Sequence, residues 1–154
     1  PTEAMTLALF TETPSNKTPL DNMKNIGSII LNRTKSQNKD FKDKNTVQDV
    51  LTHQTRGGAL QFAGLEPTVL HKRLKELKKG LAEKGITAAY NTALYLNEGN
   101  LENTLPAETL YYKKTNFEEN FMDRNPLLTP IENDGMHIFY LQNVVAEGFN
   151  EKSK

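Results

Sequence analysis

The spacing of apolar residues changes character near Gly99, and this change most limits the folds available to the chain. Before Gly99, apolar residues recur three or four positions apart, which is the period of an amphipathic helix. After it, aromatic and β-branched residues come in two short bursts, ETLYYKK and HIFYLQ, which are typical of strands. The sequence therefore predicts an α+β fold that is mostly helical, with a small β-sheet towards the C-terminus.

The first two helices follow from apolar stripes and from the signals at their ends. Met5, Ala8 and Leu9 share one face of a helix predicted over residues 2–12, and Pro14 prevents this helix from continuing. A second helix is predicted over residues 22–35, with Asp21 or Asn22 as its cap. Its apolar stripe consists of Met23, Ile26 and Ile30, and Arg33 continues it.

Three further helices are predicted, separated by loops. Thr46 is an N-cap residue for a short helix, TVQDVLTH, and Pro67 is well placed as the first residue of the next one. The last helix spans residues 86–99, and Gly99 ends it. RGGALQFAG is predicted to be a loop or a tight strand-like turn, and the segment NFEENFMDRNPLLTPIENDG is predicted to be an irregular loop. The residues expected to face the core are Leu70, Leu74, Leu77 and Leu81 after Pro67, and Ala89, Ala93 and Leu96 in the last helix.

Length and composition limit the class of protein. The chain has 154 residues, which predicts one domain over residues 1–154. Pro1 in place of Met favours a piece processed or excised from a longer chain, and no targeting segment is visible. No apolar run approaches the roughly 18 residues of a membrane span. The oligomeric state is left open.

Charge and cysteine content exclude several partners and cofactors. Lys+Arg and Asp+Glu are equal at 19 each, so charge gives no reason to expect nucleic acid as a partner. The absence of cysteine removes disulfides and zinc–thiolate sites. The three histidines, His53, His71 and His137, form no pair with metal-ligand spacing. We therefore expect neither a metal nor a cofactor.

Glu12 is the residue whose position most suggests chemistry. It falls on the same helix face as Met5, Ala8 and Leu9. A carboxyl partly buried there would have a raised pKa, and it could donate a proton near neutral pH. The alternative is that the helix frays and Glu12 points into water. Spacing alone favours this alternative, because Glu is common at helix ends.

Six segments, taken in their order, resemble a known enzyme family. They are LALFTET, IGSIILNRTKS, TVQDVLTHQ, ALQFAG, ETLYYKKTNF and DGMHIFYL. This order resembles the catalytic domain of the SleB-type cell wall hydrolases, the spore cortex-lytic family also found in phages and many bacteria. The similarity spans about residues 5–142. The residues that match the family's motifs are Phe10, Glu12, Leu31, Asn32, Arg33, Gln61, Phe62, Tyr111, Tyr112, Gly135, His137 and Phe139.

The resemblance implies a lysozyme-like fold and cleavage of peptidoglycan glycan strands, with Glu12 as the catalytic acid/base. The first expectation is a lytic transglycosylase that leaves 1,6-anhydromuramic ends, because Glu12 has no obvious carboxylate partner. Gln61, Phe62, Tyr111 and Tyr112 are expected to bind the glycan. The protein would act at the cell wall, in the periplasm, outside the cell or as part of a phage particle.

Three alternatives stay open. A hydrolytic lysozyme needs a second carboxylate, and Glu66, Asp123 and Asp134 lie in or near loops from which one could act. The second alternative is a peptidoglycan-binding or structural module that has lost its activity. The family motif Tyr-Gly-Glu-Ala-Arg-Gly-Glu is Phe-Thr-Glu-Thr-Pro-Ser-Asn here, so Asn16 replaces its second Glu. A helical adaptor, suggested only by the basic run KRLKELKKGLAEK, is the weakest hypothesis.

Overall fold

The computed structural model describes residues 1–12, 20–54, 58, 60–80, 83–99, 104–115 and 127–142. Within these ranges the α+β class predicted from the sequence is confirmed, with a three-stranded antiparallel sheet towards the C-terminus in the order β1-β3-β2. None of the helices in these ranges is long and apolar enough to cross a membrane. The elements are α1 (Thr2–Thr11), α2 (Leu20–Lys35), α3 (Val47–Leu51), a one-turn 3-10 helix (Ala63–Leu65), α4 (Pro67–Lys78), α5 (Glu83–Asn97), β1 (Thr109–Lys114), β2 (Leu128–Asn133) and β3 (His137–Gln142).

Helix α1 lies at the centre of the core, where it packs against α2, α3 and α5. Met5, Ala8 and Leu9 are fully buried, as the sequence predicts, and Phe10 is fully buried as well. Each large apolar side chain removed from water in this way stabilises the fold by about 1.5–3 kcal/mol. Because α1 is surrounded by other elements, Glu12 at its C-terminal end lies next to the core.

Small residues allow α5 and α2 to approach closely. Ala89, Ala93 and Leu96 of α5 are buried, as predicted. Gly27 of α2 faces α5, and a Cβ atom added there would lie 2.4 Å from Cδ1 of Leu96. The helical body is therefore packed at the distance that glycine and alanine permit, and a larger residue at Gly27 would displace Leu96.

The C-terminal end of α2 joins the helical body to the sheet. Nδ2 of Asn32 donates hydrogen bonds to the carbonyl oxygens of Pro106 (2.9 Å) and Thr109 (3.2 Å). Nε of Arg33 donates to the carbonyl oxygen of Leu110 at 2.8 Å. The prediction that Arg33 continues the buried stripe is confirmed, since it is 5% exposed. These bonds hold β1 in place beside α2.

Two predicted helix caps have different outcomes. Thr46 is the N-cap of α3, and it forms a capping box with Asp49. The expected cap of α2 is wrong, because that helix begins at Leu20 and places Asp21 and Asn22 inside its first turn. Oδ1 of Asn22 instead lies 2.7 Å from Nδ1 of His137 on β3, so the side chain connects α2 to the sheet.

Helix α4 begins at Pro67, as predicted, but its leucine stripe is not buried. Leu70 and Leu77 are half-buried, Leu74 is 37% exposed, and Leu81 lies outside the described residues. No side chain of α4 is fully buried. Helical periodicity identifies an apolar face, but it does not show whether another element covers that face.

The prediction of a loop between the two strand bursts is wrong at one place, because Leu128–Asn133 form β2. Five of the six residues of β2 are exposed, so the strand has no alternating apolar signal. Pro130 is compatible with it because β2 is at the edge of the sheet, where a residue without an N–H group is tolerated. The register with β3 is irregular between Pro130 and Glu132.

We predict that Asn32→Ala lowers the free energy of unfolding by about 2–3 kcal/mol, because two backbone carbonyls lose their donor. Chemical denaturation followed by circular dichroism measures this change. The matched control is Thr34→Ala, in the same helix, whose hydroxyl bonds among the described residues only to the Leu31 carbonyl of its own helix. The control should change stability by less than about 0.5 kcal/mol, and equal effects of the two variants would contradict the role given to Asn32.

Candidate active site

Glu12 directly follows the last residue of α1, and its carboxyl is held by two donors. Its backbone N–H bonds to the carbonyl oxygen of Ala8 at 3.0 Å, so the helical path continues up to Glu12. The hydroxyl of Tyr112 on β1 and the backbone N–H of Gly64 in the 3-10 helix both donate to the carboxyl. Glu12 is only partly exposed. The carboxyl is thus placed between α1, the 3-10 helix and β1.

Gly64 can reach Glu12 because it has no side chain. A Cβ atom at Gly64 would lie 2.5 Å from both Cβ and Oγ1 of Thr11. The loop before it is held by Glu66, whose Oε1 accepts a hydrogen bond from the backbone N–H of Leu60 at 2.6 Å. Glycine at this position therefore brings a backbone donor to the end of α1, where any larger residue would push the two segments apart.

Tyr112 belongs to an aromatic cluster that forms the apolar side of the site. Its ring centroid lies 6.3 Å from Phe62, 5.2 Å from His137 and 5.8 Å from Phe139. Burial raises the pKa of Tyr112 well above its ordinary value, and the neighbouring Glu12 acts in the same direction. The phenol therefore keeps its proton, and it donates that proton to the hydrogen bond with Glu12.

His137 supports this cluster as a neutral side chain. It is 2% exposed, and burial lowers its pKa to about 4. Since the amide oxygen of Asn22 accepts a hydrogen bond from Nδ1, the Nε2 atom carries the lone pair. Within the described residues Nε2 has no hydrogen-bond partner. The imidazole therefore packs edge-on against Tyr112 without adding a charge to the site.

Burial raises the pKa of Glu12, and this is the largest effect on the carboxyl. The effects that lower it are, in order, the charge of Lys114, the hydrogen bonds from Tyr112 and Gly64, and the charge of Arg33. Lys114 is exposed and stands two residues after Tyr112 on β1, so strand alternation places both on one face. The carboxyl thus lies in a poorly hydrated position with two cations near it.

The buried guanidinium of Arg33 lies beside the site. Its guanidinium lies 4.7 Å from the ring centroid of Phe41 and 5.5 Å from that of Phe62. Its Nη1 donates to Oε1 of Gln61 at 3.3 Å. Gln61 is exposed, so it connects a buried cation to the surface near Glu12.

The structure brings together some of the residues predicted from the sequence and separates one of them. Glu12, Phe62 and Tyr112 are in one cluster, and Gln61 adjoins it through Arg33. Tyr111 lies on the opposite face of β1 from Tyr112, where its hydroxyl donates to Oδ2 of Asp40 at 2.7 Å. Its ring also packs against Phe41, with the centroids 5.7 Å apart.

The carboxylates proposed as partners of Glu12 have other roles where they are described. Glu66 holds the loop before the 3-10 helix. Asp134 accepts hydrogen bonds from the backbone N–H groups of Met136 and His137 and from the side chain of Asn25. Neither bonds to Glu12 within the described residues. Asp123 and Asn16 lie outside the described residues.

A polar cavity of about 410 Å³ lies elsewhere, between the start of α2 and the turn that joins β2 to β3. Its residues bond to one another, since Asn25 accepts from Thr104 at 2.6 Å and donates to Asp134 at 3.1 Å. Glu12 does not line it. In the part of the chain that the structure describes, no group of three or more acidic or histidine side chains could hold a metal ion.

Comparison of the chain with protein-family models, curated proteins and solved structures finds no match. Any reaction assigned to this chain must therefore be argued from the geometry around Glu12 and from the motifs of the sequence. Within the described residues, the carboxyl of Glu12 is poorly hydrated and interacts with the hydroxyl of Tyr112 and the backbone N–H of Gly64. Lys114 and Arg33 are the cations near it, and aromatic rings form one side of the site.

Two residues of the site, Gly64 and Lys114, were not predicted from the sequence. Gly64 was visible only as part of a glycine-containing loop, and its role depends on a contact with Thr11 that no local pattern reveals. Lys114 could have been found, because it follows Tyr112 by two positions in a predicted strand. The alternation that separates Tyr111 from Tyr112 also places Lys114 beside Tyr112.

We predict that Glu12→Gln stabilises the folded protein at neutral pH. A carboxyl whose folded pKa is raised loses stability as the pH rises from about 4.5 through the folded pKa, by about 1.4 kcal/mol for each unit of difference. Gln keeps acceptors for Tyr112 and Gly64 but cannot ionise. Thermal unfolding at pH 4 and pH 8 should show a higher Tm for the variant at pH 8 and a smaller difference at pH 4.

Glu3→Gln is the matched control, since Glu3 is an exposed acid in the first turn of the same helix. It should change the Tm little at either pH. A Glu12→Gln variant that is less stable than the wild type at pH 8 would contradict the desolvation of this carboxyl.

Proposed function

We propose that the protein cleaves the glycan strands of peptidoglycan as a lytic transglycosylase, with Glu12 as its acid/base. The observation that carries this proposal is the carboxyl of Glu12 itself, desolvated at the end of a buried helix and held by Tyr112 and Gly64. The order of motifs shared with the SleB-type hydrolases supports the same assignment. The site of action would be the cell wall.

The proposed reaction needs one carboxyl group that changes protonation state twice. Protonated Glu12 gives its proton to the glycosidic oxygen, and the bond between that oxygen and C1 of muramic acid breaks. The resulting carboxylate then removes the proton from the C6 hydroxyl of the same sugar. The C6 oxygen attacks C1 and forms the 1,6-anhydro ring, which restores protonated Glu12 without consuming water.

The surroundings of Glu12 suit both halves of this cycle. Burial raises the pKa of Glu12 and so favours the protonated form, which is the form that donates the proton. The charges of Lys114 and Arg33 lower the pKa of Glu12, so they reduce the free-energy cost of the carboxylate that forms during the reaction. Tyr112 keeps its proton and orients the carboxyl in both states. We expect the half-buried ring of Tyr112 to contact a sugar ring. The expectation that Phe62 binds the glycan directly is wrong, because Phe62 is 1% exposed and supports Tyr112 from the core.

The first test is Glu12→Gln on purified peptidoglycan. Gln is nearly isosteric but cannot deliver a proton, and general acid–base catalysis typically contributes about 10²–10⁴ in rate. We therefore expect a loss of at least about 100-fold in turnover, with the fold retained by circular dichroism. Mass spectrometry of the wild-type products should show 1,6-anhydromuramic ends. Glu3→Gln, which changes an exposed acid at the other end of the same helix, is the matched control, and it should retain activity within a few-fold.

Two outcomes would replace this proposal with one of its alternatives. Reducing ends in the wild-type products would indicate a hydrolytic lysozyme with a second carboxylate. A wild-type protein that binds peptidoglycan but releases no fragments would indicate a module that has lost its activity.

A second test concerns Gln61 as a glycan-binding residue. Its exposed amide offers donors and an acceptor to sugar hydroxyl and N-acetyl groups. Gln61→Ala should raise KM about 5–20-fold with a smaller change in kcat, since each lost hydrogen bond contributes about 0.5–1.5 kcal/mol. Thr68→Ala, an exposed position at the start of α4, is the control for general effects on this surface. Unchanged KM and kcat in Gln61→Ala would exclude the contact.

A further inference from the structure

Arg73 of α4 is bonded to the last turn of α1, directly before Glu12. Its Nη2 donates to the carbonyl oxygen of Phe10 at 2.9 Å, and its Nη1 donates to that of Thr11 at 3.2 Å. The guanidinium also lies 4.4 Å from the ring centroid of Phe10. Nε of Arg73 forms an ion pair with Oε2 of Glu76 at 3.3 Å, which orients the guanidinium from within α4.

These contacts add hydrogen-bond donors and a positive charge to the C-terminal end of α1. The last carbonyls of an α-helix lack partners inside the helix, and a cation at this end also interacts favourably with the helix dipole. Helix α1 has no basic residue of its own in its last turn. Arg73 supplies both the donors and the charge from another element.

The contacts of Arg73 contrast with the packing of the rest of α4. No side chain of α4 is fully buried, and the helix packs mainly beside the 3-10 helix. Arg73 is itself only partly exposed. Through its two hydrogen bonds, Arg73 joins α4 to the last turn of the core helix α1.

We propose that Arg73 is a positioning residue, which holds the last turn of α1 so that the carboxyl of Glu12 stays against Tyr112 and Gly64. Arg73 does not touch the reacting atoms. It fixes the backbone from which the acid/base projects, and so it couples α4 to the site. This inference rests on the proposed function only for its effect on catalysis, because the position of the carboxyl can be measured separately.

The test measures the pKa of Glu12 by NMR of protein labelled with ¹³C at the Glu side-chain carboxyls. The Glu12 resonance is assigned by its absence in Glu12→Gln. In Arg73→Ala the last turn should loosen and the carboxyl should become hydrated, so its pKa should fall towards the ordinary value. Arg73→Lys keeps the charge but cannot donate to both carbonyls in the same fork, so it should shift the pKa in the same direction by less.

These variants separate positioning from simple electrostatics. If Arg73 acted only through its charge, Arg73→Ala would raise the pKa of Glu12 and Arg73→Lys would leave it unchanged. Glu76→Gln is the matched control, because it removes the ion pair but leaves both carbonyl bonds. It should leave the pKa of Glu12 as in the wild type.

The catalytic readout is the split between kcat and KM on peptidoglycan. Arg73→Ala should lower kcat about 10–100-fold with KM within about 3-fold, since a displacement of about 1 Å at a catalytic group can reduce the rate 10²-fold. An unchanged or raised pKa of Glu12 in both Arg73 variants would overturn the inference. A wild type without activity would refute the proposed function alone, and the carboxyl titration would still decide the role of Arg73. If Arg73→Ala does not fold, Arg73→Lys and Arg73→Gln decide it.

Discussion

The attachment of β1 to the end of α2 is the interaction on which the rest of the site depends. Asn32 and Arg33 donate to three backbone carbonyls at the start of β1, and the following residues of the strand reach the end of α1. Without these bonds, Tyr112 would have no fixed distance from Glu12. A buried guanidinium is an unfavourable group in itself, but here it donates to the carbonyl oxygen of Leu110 and to the side-chain oxygen of Gln61, and it lies over the rings of Phe41 and Phe62. The sheet is small, and its position is determined largely by polar bonds from one helix.

At Glu12, the stability of the fold and the proposed proton transfer make opposite demands. The end of a core helix is an unfavourable place for a carboxylate, because burial removes the water that would solvate it. A glutamine or an apolar residue would pack there without this penalty. Natural sequences commonly keep such a residue where function needs it, at the expense of stability. Tyr112, Gly64 and Lys114 reduce the penalty without removing it, since the net direction of the pKa is still upwards.

The parts of the fold that periodicity and end signals specify were predictable, and the parts that depend on contacts across the chain were not. The buried faces of α1 and α5, the start of α4 at Pro67 and the cap at Thr46 all follow from local patterns. The edge strand β2 was missed because its residues are exposed and include Pro130, so neither alternation nor propensity marks it. The leucines of α4 were expected to be buried, but the pattern carries no information about what packs on that face.

The candidate site divides in the same way. The apolar helix face made Glu12 a candidate, although spacing alone favoured a solvated side chain. Strand alternation predicts that Tyr111 and Tyr112 face opposite sides, but it does not show which of them lies in the site. Gly64 and Arg73 were not predictable, since each acts through the backbone of α1 from more than 50 residues away. A single sequence shows which side chains could take part in a reaction. The groups that position those side chains come together only in the fold.

The balance of charges around Glu12 bears directly on the choice between one carboxyl and two. A retaining or inverting glycosidase keeps a second carboxylate near the acid to stabilise the sugar cation or to direct water. A second negative charge close to Glu12 would raise its pKa further, in addition to the effect of burial. Among the described residues, the charged groups that act on the carboxyl are the cations Lys114 and Arg33, and they act against burial. An acid that must also serve as a base needs both protonation states within reach, and opposed influences of burial and cations bring the two states closer in free energy. Under the proposed function, this arrangement suits a single carboxyl that donates and then recovers one proton.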